Sequence, residues 1–315
     1  MIRFDHFMAE SLYGNNGYYT SPRPILGRRG DFTTAPKLTK SLAKAIAAWI
    51  KMEWKNHGQK LPVIELGPGD GTLAASLRQH FSVFTRRNLD YHFVEVSPHL
   101  RERQLEAVNA INGRATAHKT LTEACAAAGK EALILSNEFF DAFPVRIFKN
   151  EAEGFSELHL EGITEHWIPT ATSDLPESTV FEQKWPLGQR LEVAESIHRW
   201  IKDELSLLKR GTILTIDYGE TLEDLYQRRP MGSIRAYAHH QRLHPPEAYL
   251  NPGRQDLTFD VNFTDLAEWG RQIGITPMSL ETQGSFTEGY GPSLNQEADR
   301  AFKVLIQKVC TLSSP

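Results

Sequence analysis

The stretch with the clearest chemical content is Val63-Ile64-Glu65-Leu66-Gly67-Pro68-Gly69-Asp70-Gly71-Thr72-Leu73. A short apolar strand, expected over 61–66, runs into three alternate glycines and then into a helix expected over 70–80. Absent side chains let a ligand approach the backbone, and the first helical turn offers free N–H groups. A nicotinamide dinucleotide turn has the spacing G-x-G-x-x-G and cradles a pyrophosphate. Here the spacing is G-x-G-x-G, and Glu65 stands two residues before the first glycine. A carboxylate there repels pyrophosphate and pairs with an ammonium group. The combination favours S-adenosyl-L-methionine, which is cationic at its methionine end and carries no phosphate. Gly67, Pro68, Gly69, Gly71 and Thr72 form the expected cofactor turn, with Glu65 beside it. A glycine-rich strand-to-helix turn that binds nothing is the alternative reading of the motif alone.

Glu95 lies at the end of the next expected strand, 90–96, and 24 residues beyond Gly71. An acid near the ~20-residue offset grips ribose hydroxyls in such sheets. Alone, Glu95 reads as a surface acid; coupled to the glycine turn, it reads as a ribose acceptor. A third strand, 131–136, is apolar through Ala132-Leu133-Ile134-Leu135 and leads into Asn137-Glu138-Phe139-Phe140-Asp141-Ala142-Phe143-Pro144. The C-terminal strand ends of an open α/β sheet line its ligand crevice. Asn137 is therefore expected at the cofactor, and Glu138 and Asp141 at a substrate; the competing reading makes the aromatics core and the acids solvated. Asp217-Tyr218-Gly219 ends a later buried strand, 212–217, and divides evenly between crevice and turn. No metal site is expected. His239, His240 and His244 have no acid, cysteine or H-E-x-x-H pattern beside them, and Pro245-Pro246 forbids a helix. Gly284-Ser285-Phe286 lacks the G-x-S-x-G elbow of an esterase.

The strand-helix-strand-helix-strand order through residue 136 is the mark of a doubly wound α/β sheet. Before it, a Gly-, Pro- and Tyr-rich arm leads into an amphipathic helix over 38–54. Residues 1–55 are expected to be an arm and helix packed on the cleft, with the arm closing over it, and 56–315 a cofactor-binding domain. Alternating strands at 145–148, 155–160 and 163–168 mark an insertion over 142–190, followed by a helix over 187–208. Residues 228–262 read as a second insertion without periodicity, and the tail after a 264–273 helix as a weak strand, loop and helix.

Of the 315 residues, 40% are hydrophobic, enough to build a core and exclude disorder. With 35 basic against 39 acidic side chains, a net charge of -4 excludes nucleic-acid binding by bulk charge. No apolar run nears the ~20 residues needed to span a bilayer, and the N-terminus shows no signal or transit segment. Cys125 and Cys310 form no metal-type pair and suit a reducing cytosol. A cytoplasmic enzyme with no membrane insertion and no nucleic-acid partner is expected.

At these residues the chain resembles the MidA-like class I methyltransferases, a family that includes a mitochondrial complex I assembly factor that methylates arginine. The similarity continues through Gly17-Tyr18-Tyr19, Gly27-Arg28-Arg29-Gly30-Asp31-Phe32, Thr34-Ala35-Pro36, Glu95 to Pro98, Asn137 to Val145, Arg235-Ala236-Tyr237, Pro252 to Thr258 and Thr282-Gln283-Gly284. It implies a Rossmann-like class I methyltransferase sheet with an N-terminal arm and an inserted antiparallel β/helical segment. It further implies S-adenosyl-L-methionine as methyl donor and a protein arginine as acceptor, a respiratory complex I subunit being the family's example. Oligomeric state is left open, a homodimer among the options. The chain departs from the family at Lys37, Ser41 to Lys44 and Asn262. An arginine acceptor stays charged because its pKa exceeds ~12, so carboxylates must hold its guanidinium by paired hydrogen bonds. Glu138 and Asp141 are the candidates, with Asp31 from the arm and Asp217 behind them. Two other readings compete: a non-catalytic cofactor-binding assembly factor, and an NAD(P)-dependent oxidoreductase, which the glycine spacing and Glu65 disfavour.

Overall fold

Short strands buried on both faces and separated by helices pair in parallel, since each crossover helix returns the chain to the same end. In the computed structural model, which describes residues 1–21, 36–238, 241–290 and 298–309, Val63–Leu66 and Tyr91–Val94 are wholly buried strands. The sheet runs, from one edge, Ile275–Thr282, Phe302–Val309, Arg210–Glu220, Glu131–Asn137, Val63–Leu66, Tyr91–Val94 and Thr116–His118. Arg210–Glu220 to Thr116–His118 pair in parallel, and the first two strands pair antiparallel. From Val63–Leu66 the chain steps outward to Thr116–His118, then returns to Glu131–Asn137 on the other flank of the first strand. The order reverses there, at the strand ends where open sheets leave a crevice.

Contacts divide the chain into two compact units, and the boundary differs from the expected split at residue 55. One unit, Thr34–Phe139, Ile201–Asp217 and Trp269–Pro315, holds the sheet. Helix Pro36–His57 belongs to it because Ala45, Ile46, Trp49 and Ile50 are buried, and Glu53 accepts a 2.5 Å hydrogen bond from Thr212. Pro98 near its start predicts a helix over 98–109, and helix Pro98–Asn109 spans those residues with Pro98 in its first turn.

The other unit comprises Met1–Thr33, Phe140–Trp200 and Tyr218–Glu268. Its antiparallel sheet orders Ile2–Arg3, Gly154–Glu161, Arg146–Glu151 and Arg190–Val193, with Thr164–Thr170 paired to Gly154–Glu161. These strands realise the expected alternation, and Phe148, Val180, Leu191, Val193, Leu222, Leu225 and Tyr226 pack into a core. The helix expected over 187–208 is instead strand Arg190–Val193, helix Glu195–Asp203 and a 3-10 turn at Leu205–Leu207. Pairing of Leu191 with Phe148 and Val193 with Arg146 overrides the helical spacing. Residues 228–262, expected without regular structure, carry a small antiparallel sheet of Arg235–Ala238, Gln241–Leu243 and Asp256–Thr258. Among the described residues the last element of the tail is a strand, Phe302–Val309, in place of the expected helix. Among the described residues no helix is long and apolar enough to cross a membrane.

Candidate functional site

The glycine turn sits where the strand order reverses. Gly67, Gly69 and Gly71 all have positive φ, at 57°, 58° and 81°, a region in which side chains other than glycine are strained. The backbone is thus a tight coil: Gly67 N–H bonds to the Val94 carbonyl, and Gly71 N–H to that of Pro68 at 2.9 Å. Asp70 Oδ1 accepts from Thr72 N–H at 3.0 Å, starting helix Thr72–Arg78. The helix begins two residues later than its sequence pattern places it because Asp70 is consumed in this turn. Gly71 also lies against helix Pro98–Asn109, since a Cβ there would come 3.0 Å from Gln104 Cα.

Two buried carboxylates flank the turn. Glu65 is 2% exposed and accepts a 2.7 Å hydrogen bond from the Tyr91 hydroxyl. Arg78, fully buried, stacks its guanidinium 4.8 Å from the centre of the Tyr91 ring. Burial pushes the Glu65 carboxyl up to about 7, against the opposing effects of Tyr91 and Arg78. Glu95 accepts from Ser97 N–H at 2.8 Å through Oε1 and from Gln104 Nε2 at 3.4 Å through Oε2. Burial raises its pKa, while the Ser97 and Gln104 hydrogen bonds pull it down.

The turn after Glu131–Asn137 is fastened to both neighbours. Glu138 is one of three non-glycine residues with positive φ among the described residues, at 52°. Its N–H bonds to the Ile216 carbonyl at 3.0 Å, and its Oε1 accepts from Asn137 Nδ2 at 3.2 Å. Asp217, fully buried, accepts the Phe139 N–H at 3.2 Å. The Phe139 ring packs on Gly67 so closely that a Cβ there would lie 2.8 Å from Cδ2.

The sheet-bearing unit therefore gathers Glu65, Gly67, Pro68, Gly69, Gly71, Thr72, Glu95, Asn137, Glu138 and Asp217 around one strand reversal. Asp141 belongs to the other unit. There it is buried, its Oδ2 accepts from Thr258 Oγ1 at 2.8 Å, and its carbonyl accepts from Phe259 N–H. Burial raises the Asp141 pKa. The described part of the arm lies in that same unit: Tyr13 donates to the Ala142 carbonyl at 3.1 Å, and Tyr19 to Asp256 Oδ1 at 2.9 Å. Residues 22–35 of the arm, Asp31 among them, and His239 and His240 lie outside the described residues.

Sequence reasoning does not single out Tyr91 or Gln104. Gln104 did leave a signal: Leu100, Gln104 and Val108 form the buried stripe of their helix, and one of the three is polar.

A family model for S-adenosyl-L-methionine-dependent methyltransferases matches residues 45–280. A Drosophila melanogaster protein named a mitochondrial protein arginine methyltransferase NDUFAF7 homolog is 28% identical over 295 residues, 82% of this chain and 64% of its own length. The Danio rerio protein arginine methyltransferase NDUFAF7 is 27% identical, covering 92% of this chain and 73% of its own length. The chain thus spans less than two thirds of the Drosophila relative. A Burkholderia thailandensis crystal structure with bound S-adenosyl-homocysteine superposes with a TM-score of 0.82 at 24% identity, over 98% of this chain and 87% of that one. That likeness establishes a shared fold.

Proposed function

The chain belongs to the S-adenosyl-L-methionine-dependent methyltransferase family, and on that premise we propose that it methylates an arginine of a protein acceptor. The cofactor supplies an electrophilic methyl group on a sulfonium. Everything else falls to the chain's own residues. No Lys or Arg occurs between Glu65 and Leu73, so the turn suits a cation flanked by buried carboxylates and not a pyrophosphate. In this reading Gly67, Pro68, Gly69, Gly71 and Thr72 admit the methionine portion, Glu65 answers its ammonium group, Glu95 takes the ribose hydroxyls, and Asn137 borders the methyl.

The observation that carries the acceptor assignment is Glu138, a carboxylate held on strained backbone at the end of a central strand. Strain of that kind persists where surrounding structure over-determines it, and it clusters at functional sites. Glu138 would hold the guanidinium and turn one nitrogen toward the methyl; Asp141 is the alternative candidate for that role. Asp217 is a weaker candidate because its carboxylate already holds the Phe139 N–H, and Asp31 remains a proposal from the arm. The arginine methyltransferase names of the relatives support a protein acceptor, a complex I subunit being the first to try. A reducing compartment such as the cytoplasm suits Cys125, which is free and buried. Transfer of radiolabelled methyl into a lysate, followed by mass spectrometry, tests the proposal. Label on a protein arginine is expected; label confined to another side chain or to small molecules overturns it.

Two results should follow for the cofactor. A charged acceptor contributes ~1.5–3 kcal/mol, so Glu95→Ala should raise the dissociation constant by one to two orders of magnitude in calorimetric titration. An unchanged constant would return Glu95 to a structural role. Glu65 gives a pH dependence. With its carboxyl at about 7 in the free protein, the ionised form that a cationic ligand prefers becomes populated as pH rises. Affinity should therefore climb roughly tenfold between about pH 5.5 and 7, below the range in which an α-amino group loses its proton. Glu65→Gln should remove most of that rise; a mutant with the wild-type pH profile would detach Glu65 from the ammonium group.

A further inference from the structure

We infer that Gln104 is a positioning residue for the cofactor, a single side-chain amide that locks the glycine turn and the ribose-side carboxylate into one register. The inference rests on the cofactor reading of Glu95 given above. Gln104 is fully buried on helix Pro98–Asn109. Its Nε2 donates to the Gly69 carbonyl at 2.9 Å and to Glu95 Oε2 at 3.4 Å. Both partners are pure acceptors, so only the NH2 end of the amide satisfies them, and its orientation is fixed. The cost of that orientation is visible, because Oε1 is buried without a hydrogen-bond partner. A residue serving only to fill space would be apolar, like Leu100 and Val108 in the same stripe.

The rest of the helix start grips the same carboxylate and its backbone. Ser97 N–H holds Glu95 Oε1, and Arg101 donates to the carbonyls of Glu95 and Val96 at 2.6 and 3.1 Å. Gln104 alone among these contacts reaches across to the glycine turn. It thereby sets the distance between the two halves of the site, and its N–H favours the ionised Glu95.

Gln104→Met keeps length and volume without a donor, and Gln104→Glu places a second acid against Glu95. Both should weaken S-adenosyl-homocysteine binding in calorimetric titration, by tenfold or more for Met and further for Glu. The acid limb of the affinity–pH profile should move upward, since Glu95 loses a donor that favours its charged form; the charged groups facing it are Arg101 and, in the second variant, the new carboxylate. In a Glu95→Ala background the Gln104→Met penalty should shrink to a few-fold. A full penalty in that background, or wild-type affinity for Gln104→Met while Glu95→Ala is weakened, overturns the inference alone. Wild-type affinity for Glu95→Ala overturns the cofactor reading of Glu95 and the inference with it. Melting temperature separates both results from loss of fold.

Discussion

Glu138→Gln is expected to lower methyl transfer at least a hundredfold while cofactor affinity stays within a few-fold of wild type. The substitution keeps size and removes charge. An acceptor guanidinium in a desolvated site would lose one member of its clamp, at ~2–5 kcal/mol, and a hundredfold in rate corresponds to ~2.7 kcal/mol. The backbone sharpens the test. Glu138 holds φ at 52°, which costs a side-chain-bearing residue ~1–2 kcal/mol relative to glycine. Glu138→Gly should therefore leave the melting temperature unchanged or raised, yet abolish transfer as the glutamine variant does. If the glutamine variant loses cofactor and retains turnover, Glu138 belongs to the cofactor side, and the acceptor acid must be sought at Asp141, Asp31 or Asp217.

Gly69→Val is expected to eliminate measurable cofactor binding and to leave the sheet folded. At a φ of 58° a β-branched residue is a backbone outlier. Relaxing that strain moves the Gly69 carbonyl away from Gln104 Nε2, which holds it at 2.9 Å. Either response, a side chain in the ligand's space or a displaced turn, removes the site. Local strain of ~1–3 kcal/mol should cost several degrees in melting temperature without unfolding the chain. Wild-type affinity in this variant would place the cofactor elsewhere.

The sheet was legible because its signals are local. Ala132 to Leu135 is an unbroken apolar run, Val63 to Leu66 is apolar but for Glu65, and the glycines that end the latter have left-handed backbone. Pro98 marked the start of a helix without reference to anything distant. The misread stretch from 187 to 208 shows where such reasoning stops. Leu191, Ile197, Ile201 and Leu205 satisfy helical spacing on paper, but Leu191 and Val193 find strand partners at Phe148 and Arg146, more than forty residues earlier. Residues 235–258 failed for a related reason: their strands are three or four residues long, too short for periodicity to register. At the site, the acids and glycines were visible by type. What Gln104 and Tyr91 touch was not, because those contacts exist only once a helix or a neighbouring strand has docked.

The way the two units share the chain also governs the order in which they can be made. Met1–Thr33 is made before the other two stretches of its unit, which stays incomplete until Tyr218–Glu268 has followed, and Tyr19 waits for Asp256. The sheet waits longer still, for Phe302–Val309 to fill its place between Arg210–Glu220 and Ile275–Thr282. A chain halted at residue 217 holds all of neither unit and exposes strands whose partners are untranslated. Domain-by-domain folding behind the ribosome is therefore closed to this topology. Neither unit can be excised by a single cut or moved into another protein as one contiguous piece, so exchanging the segments around Glu138 for those of a relative means transplanting three separate stretches at once.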